Sequence, residues 1–372
     1  MKIAIHAADL DHARIDGTRV YLLNMLKNFG AQNKTDSFCI YHQNNFNPHL
    51  TPPTFDNYSI KKIPFPTLWT QLRFAWQLFR DDPDVLWMPV HNVPIFRRKK
   101  LKVVVTIHDL AFKIFPDYFP KKDLAKLNRL SDHSIRNADR LIAVSQATKD
   151  DILRFYPQIS AEKITVIHHG FDCALFENES SQSESGKILN SYELKAKSYL
   201  LYVGAIQPRK NLSVLISAFE KVKLTRPDFK LILAGAPAWQ AQATLDAIKA
   251  SPCRDDIIVT GTLPFDELPA LYRNASAFVF PSLYEGFGIP VLEAMASGAP
   301  VILANNSSLL EAGGDAALYF ETEDCKDLHE KIESVLADKT LRESLIKKGK
   351  QHCANFSWEK CAALTLDNIT KW

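Results

Sequence analysis

The chemistry in this chain is concentrated in one stretch, PSLYEGFGIPVLEAMASGAPVILA from Pro281 to Ala304, where Glu285 and Glu293 stand in a Glu-x7-Glu arrangement. Between them, Gly286-Phe287-Gly288 forms a turn that opens a short helix. Pro290 suits the first helical turn, where a missing N–H costs nothing, and Gly298 followed by Pro300 is a stop signal. The N–H groups of Gly286 to Ile289 lie at the positive end of that helix, which suits an anion such as phosphate. Carboxylates beside an anion site need a different task. Accepting hydrogen bonds from sugar hydroxyls is the simplest, and a nucleotide sugar presents both groups in one molecule.

A second constellation lies upstream. In GAIQPRKN, Gly204 to Asn211, a basic pair sits between the apolar run ending at Val203 and a helix beginning near Leu212. Arg209 can fork onto a diphosphate and Lys210 can act as a point charge, whereas surface charges in a loop are the bland alternative. Asn211 reads as the helix cap. A third is Thr106-Ile107-His108-Asp109, a polar pair closing a buried run. His108 is either a satisfied core histidine or an active-site group, and Asp109 would orient or charge its imidazole. The loop from Asp9 to Arg19 carries the single glycine Gly17. A dinucleotide fingerprint needs three, so hydride transfer loses its main support.

These groups need a scaffold, and the chain supplies the pattern of one. Apolar runs recur at Ile3–Ile5, Val85–Met88, Val103–Ile107, Leu141–Val144, Ile164–Ile167, Leu200–Val203, Leu231–Leu233, Ile257–Val259, Phe278–Phe280 and Val301–Leu303, with helical periodicity between them. Near-continuous apolar strands alternating with helices mean parallel sheets covered on both faces. The predicted fold class is α/β, with two doubly wound Rossmann-like domains facing across a cleft. The Ser- and Glu-rich segment Glu177 to Lys187 reads as a mobile linker. Domains are thus expected at 1–180 and 181–355. A final helix from about Trp358, within 356–372, is expected to pack back on the first domain. The aromatic segment Leu68 to Met88 reads mainly as core packing.

Composition sets the outer bounds. With 372 residues, 46% hydrophobic and 23% charged, the chain can bury a real core. A net charge of +3 gives no support for a nucleic-acid partner. The basic run Arg97 to Lys102 reads as a solvated loop or as a contact with an anionic membrane. The 6 cysteines are scattered and the 11 histidines form no metal signature, so a cytoplasmic protein without a metal site is expected. His168 and His169 are expected on opposite faces of a strand.

The segments VTIHDLAFKIFPDYFP, ADRLIAVSQATKDDI, YVGAIQPRKNLSVLISAF and PSLYEGFGIPVLEAMASGAPV occur in this order. Together they resemble glycosyltransferase family 4, and most closely its mannosyltransferase-like branch. The resemblance implies a GT-B fold and retaining transfer of a hexose, with mannose from GDP-mannose the first expectation. The acceptor would be a saccharide or a lipid-linked one. It further implies that Glu293 holds the ribose and that Glu285 meets the donor hexose or its developing positive charge. Arg209 and Lys210, with the N–H groups beside Gly286, Phe287 and Gly288, would bind the diphosphate. His108 would contact the transferred sugar, and Gly17 would lie under the phosphates. No cofactor or metal is implied, and peripheral contact with the inner face of a membrane is. Two other readings stay open: sugar-nucleotide epimerisation on the same fold, and a nucleotide-sugar-binding regulator without turnover.

Overall fold

The computed structural model describes residues 1–178 and 182–372. The chain divides into two compact units, one made of Met1–Gly170 with Phe356–Trp372 and the other of Phe171–Asn355. The expected boundary at 180/181 lies outside the described residues. The structure moves the division to the Gly170–Phe171 step. The reason is packing: the Phe176 ring meets Phe265 at 5.5 Å and Tyr272 at 5.9 Å, and its carbonyl accepts from Arg273 at 3.3 Å. The linker reading falls partly on residues 179–181, outside the described residues; its part from Gln182 on is corrected, since Gln182–Ser191 is helical and packs on the helix Leu268–Asn274.

Among the described residues, the first unit is built on a seven-stranded parallel sheet: β1 (Lys2–His6), β2 (Ser37–His42), β3 (Tyr58–Lys62), β4 (Val85–Met88), β5 (Lys102–Ile107), β6 (Arg140–Ala143) and β7 (Ile164–Val166). Their order is β3-β2-β1-β4-β5-β6-β7, so the direction of winding reverses between β1 and β4. Helices cover both faces, which is why β4 and most of β5 are buried along their length. β3 escapes an apolar-run criterion because, at the sheet edge, it reads YSIKK, whereas β2, reading SFCIYH and buried after its first residue, is a strand that the apolar runs leave out. The helix Trp358–Thr370 belongs to this unit and lies against the helix Gly17–Gln32. Its start approaches Gly170 so closely that a Cβ there would meet the Trp358 nitrogen at 2.1 Å, so only glycine fits.

The two histidines before that glycine lie beyond β7, not within a strand. His169 is buried, with its ring 4.9 Å from Tyr21 and 5.9 Å from Trp358, and His168 meets Phe356 at 5.7 Å.

The second unit carries a six-stranded parallel sheet: β8 (Tyr199–Val203), β9 (Lys230–Ala234), β10 (Ile257–Val259), β11 (Ala277–Phe280), β12 (Val301–Ala304) and β13 (Leu318–Phe320). Its order is β10-β9-β8-β11-β12-β13, with the reversal between β8 and β11. In open sheets of this kind, ligands bind beyond the carboxyl ends of the strands at the reversal. Each unit therefore has one favoured place for a site.

Candidate active site

In the second unit that place is occupied by the residues singled out from the sequence. The chain leaves β8, passes through a short 3-10 turn at Pro208–Lys210 and enters the helix Leu212–Thr225. The chain leaving β11 reaches Glu285 and stitches back, with Leu283 N–H donating to the Arg209 carbonyl at 2.9 Å. Lys210 Nζ pairs with Glu285 Oε1, and Arg209 Nη1 lies 3.3 Å from Oε2 while also donating to the Tyr284 carbonyl. The Lys210 ammonium stands 5.1 Å from the centre of the Phe280 ring. Asn211 does start the helix, but its side chain makes no capping bond. Its backbone is left-handed, with φ +51°, a conformation that asparagine tolerates.

The turn beyond Glu285 is shaped by glycine. Gly288 has φ +106°, closed to most side chains, and a Cβ there would stand 3.2 Å from Leu309. The helix that follows, Ile289–Ala296, has Pro290 in its first turn, and Gly298, with φ +76°, lies just past its end. The loop after β12 holds the turn from the other side. Ser307 Oγ accepts from Glu285 N–H at 3.1 Å, and Ser308 Oγ shares its hydrogen between the carbonyls of Glu285, at 2.9 Å, and Phe287, at 3.0 Å. Gly286, Phe287 and Gly288 are thus part of the same assembly as Arg209, Lys210 and Glu285.

Glu293 is held differently. It is buried in the helix and accepts from Tyr272 Oη at 3.0 Å. Burial drives its carboxyl up to about 7, against the pull of the Tyr272 hydrogen bond and aided by the charge of Asp172. Burial would raise Glu285 too, but Lys210 and Arg209 outweigh it and hold that carboxyl down at about 2. One member of the pair is therefore a permanent anion bridging two cations, and the other is poised near neutrality.

The remaining expected residues lie in the first unit. Gly17 opens the helix Gly17–Gln32, which Asp16 caps by accepting from Arg19 N–H, and nothing stands within 4 Å of where its Cβ would be. A ligand can approach that backbone. His108, half-buried just past β5, has Nε2 2.9 Å from the Pro89 carbonyl. Burial lowers its pKa, opposed by the Pro89 contact and by Asp109, so the ring is neutral and donates from Nε2, leaving Nδ1 as an acceptor. Asp109 acts on the imidazole through its charge, as expected, but makes no bond to the ring. Its carboxylate accepts from Ala111 N–H at 3.0 Å, at the start of a short helix.

The first unit also holds a cavity of about 520 Å³ at its own reversal point, beyond β1 and β4. His6, Asp9, Asn44, Gln71, Asn92 and Lys126 are among its walls. Thr70 Oγ1 meets His6 Nε2 at 3.1 Å and accepts from Asn92 at 3.1 Å, while His6 Nδ1, buried, is left without a hydrogen-bond partner. Among the described residues no cluster of histidine, cysteine and carboxylate side chains is arranged to hold a metal ion.

Two family models cover most of the chain: Glycosyltransferase Family 4 matches residues 15–175 and Glycosyl transferases group 1 matches residues 186–352. The O-antigen chain mannosyltransferase B of Escherichia coli is 32% identical over 79% of this chain and 76% of its own length. The chain belongs to glycosyltransferase family 4. The serotype-specific mannosyltransferase WbdA of Escherichia coli is 29% identical over 78% of the glycosyltransferase described here, a match that spans 35% of the longer WbdA. The fold matches that of Anabaena HepE, solved with UDP and glucose, with a TM-score of 0.75 over 100% of both chains at 17% identity. This is the GT-B class of fold.

The structure adds residues that motif reading leaves out of this glycosyltransferase's site. Tyr272, Ser307 and Ser308 fix the two carboxylates and the turn, and the cavity walls of the first unit come from segments with no family motif. A signal was present in part: Asn305-Asn306-Ser307-Ser308 is a polar run at the carboxyl end of a buried strand.

Proposed function

We propose that this glycosyltransferase moves a mannosyl group from GDP-mannose to a saccharide or lipid-linked acceptor in polysaccharide biosynthesis. Configuration at the anomeric carbon is retained, and no metal ion is used. The observation that carries the reading is the Arg209–Lys210–Glu285 assembly at the β8/β11 reversal, beside the Gly288 turn and the start of the following helix. Two fixed cations and a helix N-terminus stabilise a departing diphosphate as its bond to the anomeric carbon breaks. The acceptor oxygen bonds that carbon from the same face, and its proton passes to the leaving phosphate oxygen. Glu285 offers negative charge to the oxocarbenium-like sugar, Glu293 accepts from ribose hydroxyls and Gly17 passes under the phosphates. His108 offers Nδ1 to a hydroxyl of the transferred sugar. The polar cavity of the first unit takes the acceptor. The mannosyl choice rests on the relatives' names, and a station at the cytoplasmic face of a membrane on the basic run Arg97 to Lys102.

Incubation with GDP-mannose and a mannoside acceptor tests this, read by GDP release and by the anomeric signals of the product. Acceptor-dependent GDP release, an α-linked product and full rate in a chelator are expected. An altered sugar with GDP released in the absence of acceptor identifies an epimerase. Tight donor binding without turnover identifies a regulator.

A further inference from the structure

The sheet of the second unit has a cavity at its other end. About 350 Å³ in volume, it is lined by Lys197, Ser276 and Pro300, which stand just before the amino ends of the adjacent strands β8, β11 and β12. Arg209, Lys210 and Glu285 follow the opposite, carboxyl ends of β8 and β11, and none of them lines this cavity. The facing wall comes from the turn between the helices Cys325–Ala337 and Lys339–Cys353.

The charge of the lining is one-sided. Among the described residues, Lys197, Lys339 and Arg342 share the cavity with a single carboxylate, Glu343, which lies 3.7 Å from Lys339 where both are exposed. Lys197 and Arg342 hold backbone instead of a carboxylate. Lys197 Nζ donates to the carbonyls of Arg273 at 2.7 Å and Ala275 at 3.0 Å, and Arg342 Nη1 to those of Val335 at 2.7 Å and Leu336 at 2.9 Å. These bonds fix both cations at helix ends and use only part of each. The ammonium keeps a further N–H, and the guanidinium keeps Nε and Nη2. The two charges also feel one another: desolvation of its tip, and then the charge of Arg342, lower the pKa of Lys197. Its backbone is left-handed, with φ +60°, a costly conformation for lysine that the surroundings must hold.

Ser276 adds a second, separate signal. The residue is 6% exposed; its N–H donates to the Tyr199 carbonyl at 2.9 Å, while its hydroxyl has no hydrogen-bond partner. Buried hydroxyls are seldom left so. Two cations with donors to spare, beside a hydroxyl with none of its bonds made, are an arrangement that an oxyanion completes. Three cations against one carboxylate leave an excess of two charges, which a phosphate dianion matches and a carboxylate does not.

We propose that this cavity binds a phosphoryl group, with Arg342, Lys197 and Ser276 donating to its oxygens and Lys339 adding charge at the rim. The group is either free phosphate or the end of a small monoester, whose carbon body would meet the apolar wall of Pro300, Leu336 and Ile346. The site is separate from the nucleotide-sugar site and does not rest on the transferase reading.

Calorimetry tests this on protein carrying Arg209→Ala and Lys210→Ala, so that the other cationic site does not take up the probe. Inorganic phosphate and phenyl phosphate are titrated separately, at an ionic strength fixed with potassium chloride. Binding at one site is expected. Tighter binding of phenyl phosphate assigns the site to a monoester and equal binding assigns it to the free anion, and either supports a phosphoryl site. Adding Arg342→Gln should weaken binding at least about tenfold, and adding Ser276→Ala about fivefold. Arg342 also holds a helix end, so Ser276→Ala is the variant that keeps the fold out of question. It removes a hydroxyl without a partner, so the melting temperature without phosphate should hold or rise, while the rise that phosphate induces should shrink. A merely structural serine would leave that induced rise unchanged. No binding of either probe, or binding that both variants leave intact, overturns the proposal. So does an equal rise in melting temperature with potassium chloride alone.

Discussion

The two sheets reverse their winding at equivalent points, yet the two reversal points are built on different physics. In the second unit, two cations and a buried carboxylate are locked together, and three loops are stitched by backbone and serine hydrogen bonds. In the first, the corresponding place is an open cavity walled by neutral and mixed-charge polar groups. A diphosphate has one charge and one geometry whatever sugar it carries, so rigid preorganisation suits it. An acceptor varies in shape, and walls drawn from loops suit that.

The largest effect is expected where the locked cluster is altered at its centre. Glu285→Gln removes the negative charge offered to the sugar while leaving Arg209 and Lys210 in place. Turnover should fall on the order of 10²–10³-fold, the scale of losing one electrostatic stabiliser of a transition state. GDP affinity should hold or rise, because the two cations lose their internal partner. A parallel fall in GDP affinity measured by calorimetry would show that Glu285 works by holding the phosphate site together.

Glu293, eight residues on and inside the helix that the Gly288 turn opens, gives a contrast. Its carboxyl, raised by burial to about 7 from an ordinary 4.5, binds a proton in the folded state that it has released in the unfolded one. The stability this proton contributes is complete below pH 4.5 and disappears as pH climbs through about 7. Wild type should lose up to about 3 kcal/mol across that window. Glu293→Gln, with no charge to acquire, should lose that part of the dependence, and unfolding curves at a series of pH values measure the difference. Identical profiles for the two proteins would mean that Glu293 stays ionised in its pocket.

Next in size is the affinity for nucleoside diphosphate. Arg209→Ala or Lys210→Ala should each weaken GDP binding roughly tenfold or more, the scale of a lost charge-assisted hydrogen bond. Calorimetry checks it, and unchanged affinity would remove the diphosphate from this unit's reversal point.

What could be read from residues alone follows from how local the signal is. The Gly288 turn, Pro290, the Gly298 stop and the Arg209–Lys210 step are encoded in contiguous residues, and the structure shows the turn, the stop and the bonds between Lys210 and Glu285. The apolar runs are strands for the same reason. Tyr272 and Ser308 act on carboxylates or carbonyls more than twenty positions away, a relation that only folding creates. β3 was hidden by its position at the sheet edge, and the cavity is assembled from loops around residues 6–12, 43–44, 68–71 and 90–92. Asp109 was legible only in part: its charge reaches His108, but adjacency in sequence is not a bond, and the chain turns after His108 so that the carboxylate meets a helix start instead.

The smallest effect tests the comparison most directly, because it asks whether the open cavity has a job separate from the locked cluster. Asp9 is partly exposed on the cavity wall, its carboxylate 3.9 Å from His6 Nδ1 and its carbonyl accepting from Arg19 at 3.0 Å. Asp9→Asn keeps the shape and the backbone contact and exchanges a charged acceptor for a neutral one. A hydroxyl bound there should be held about 1 kcal/mol less tightly, so KM for the acceptor should rise about fivefold with GDP affinity untouched. Arg209→Ala should do the reverse, moving GDP affinity and leaving acceptor KM alone at saturating donor. If Asp9→Asn shifts neither quantity, the acceptor does not use the cavity. If it shifts both, the two reversal points are not independent sites, and the division of labour between rigid cluster and open cavity is wrong.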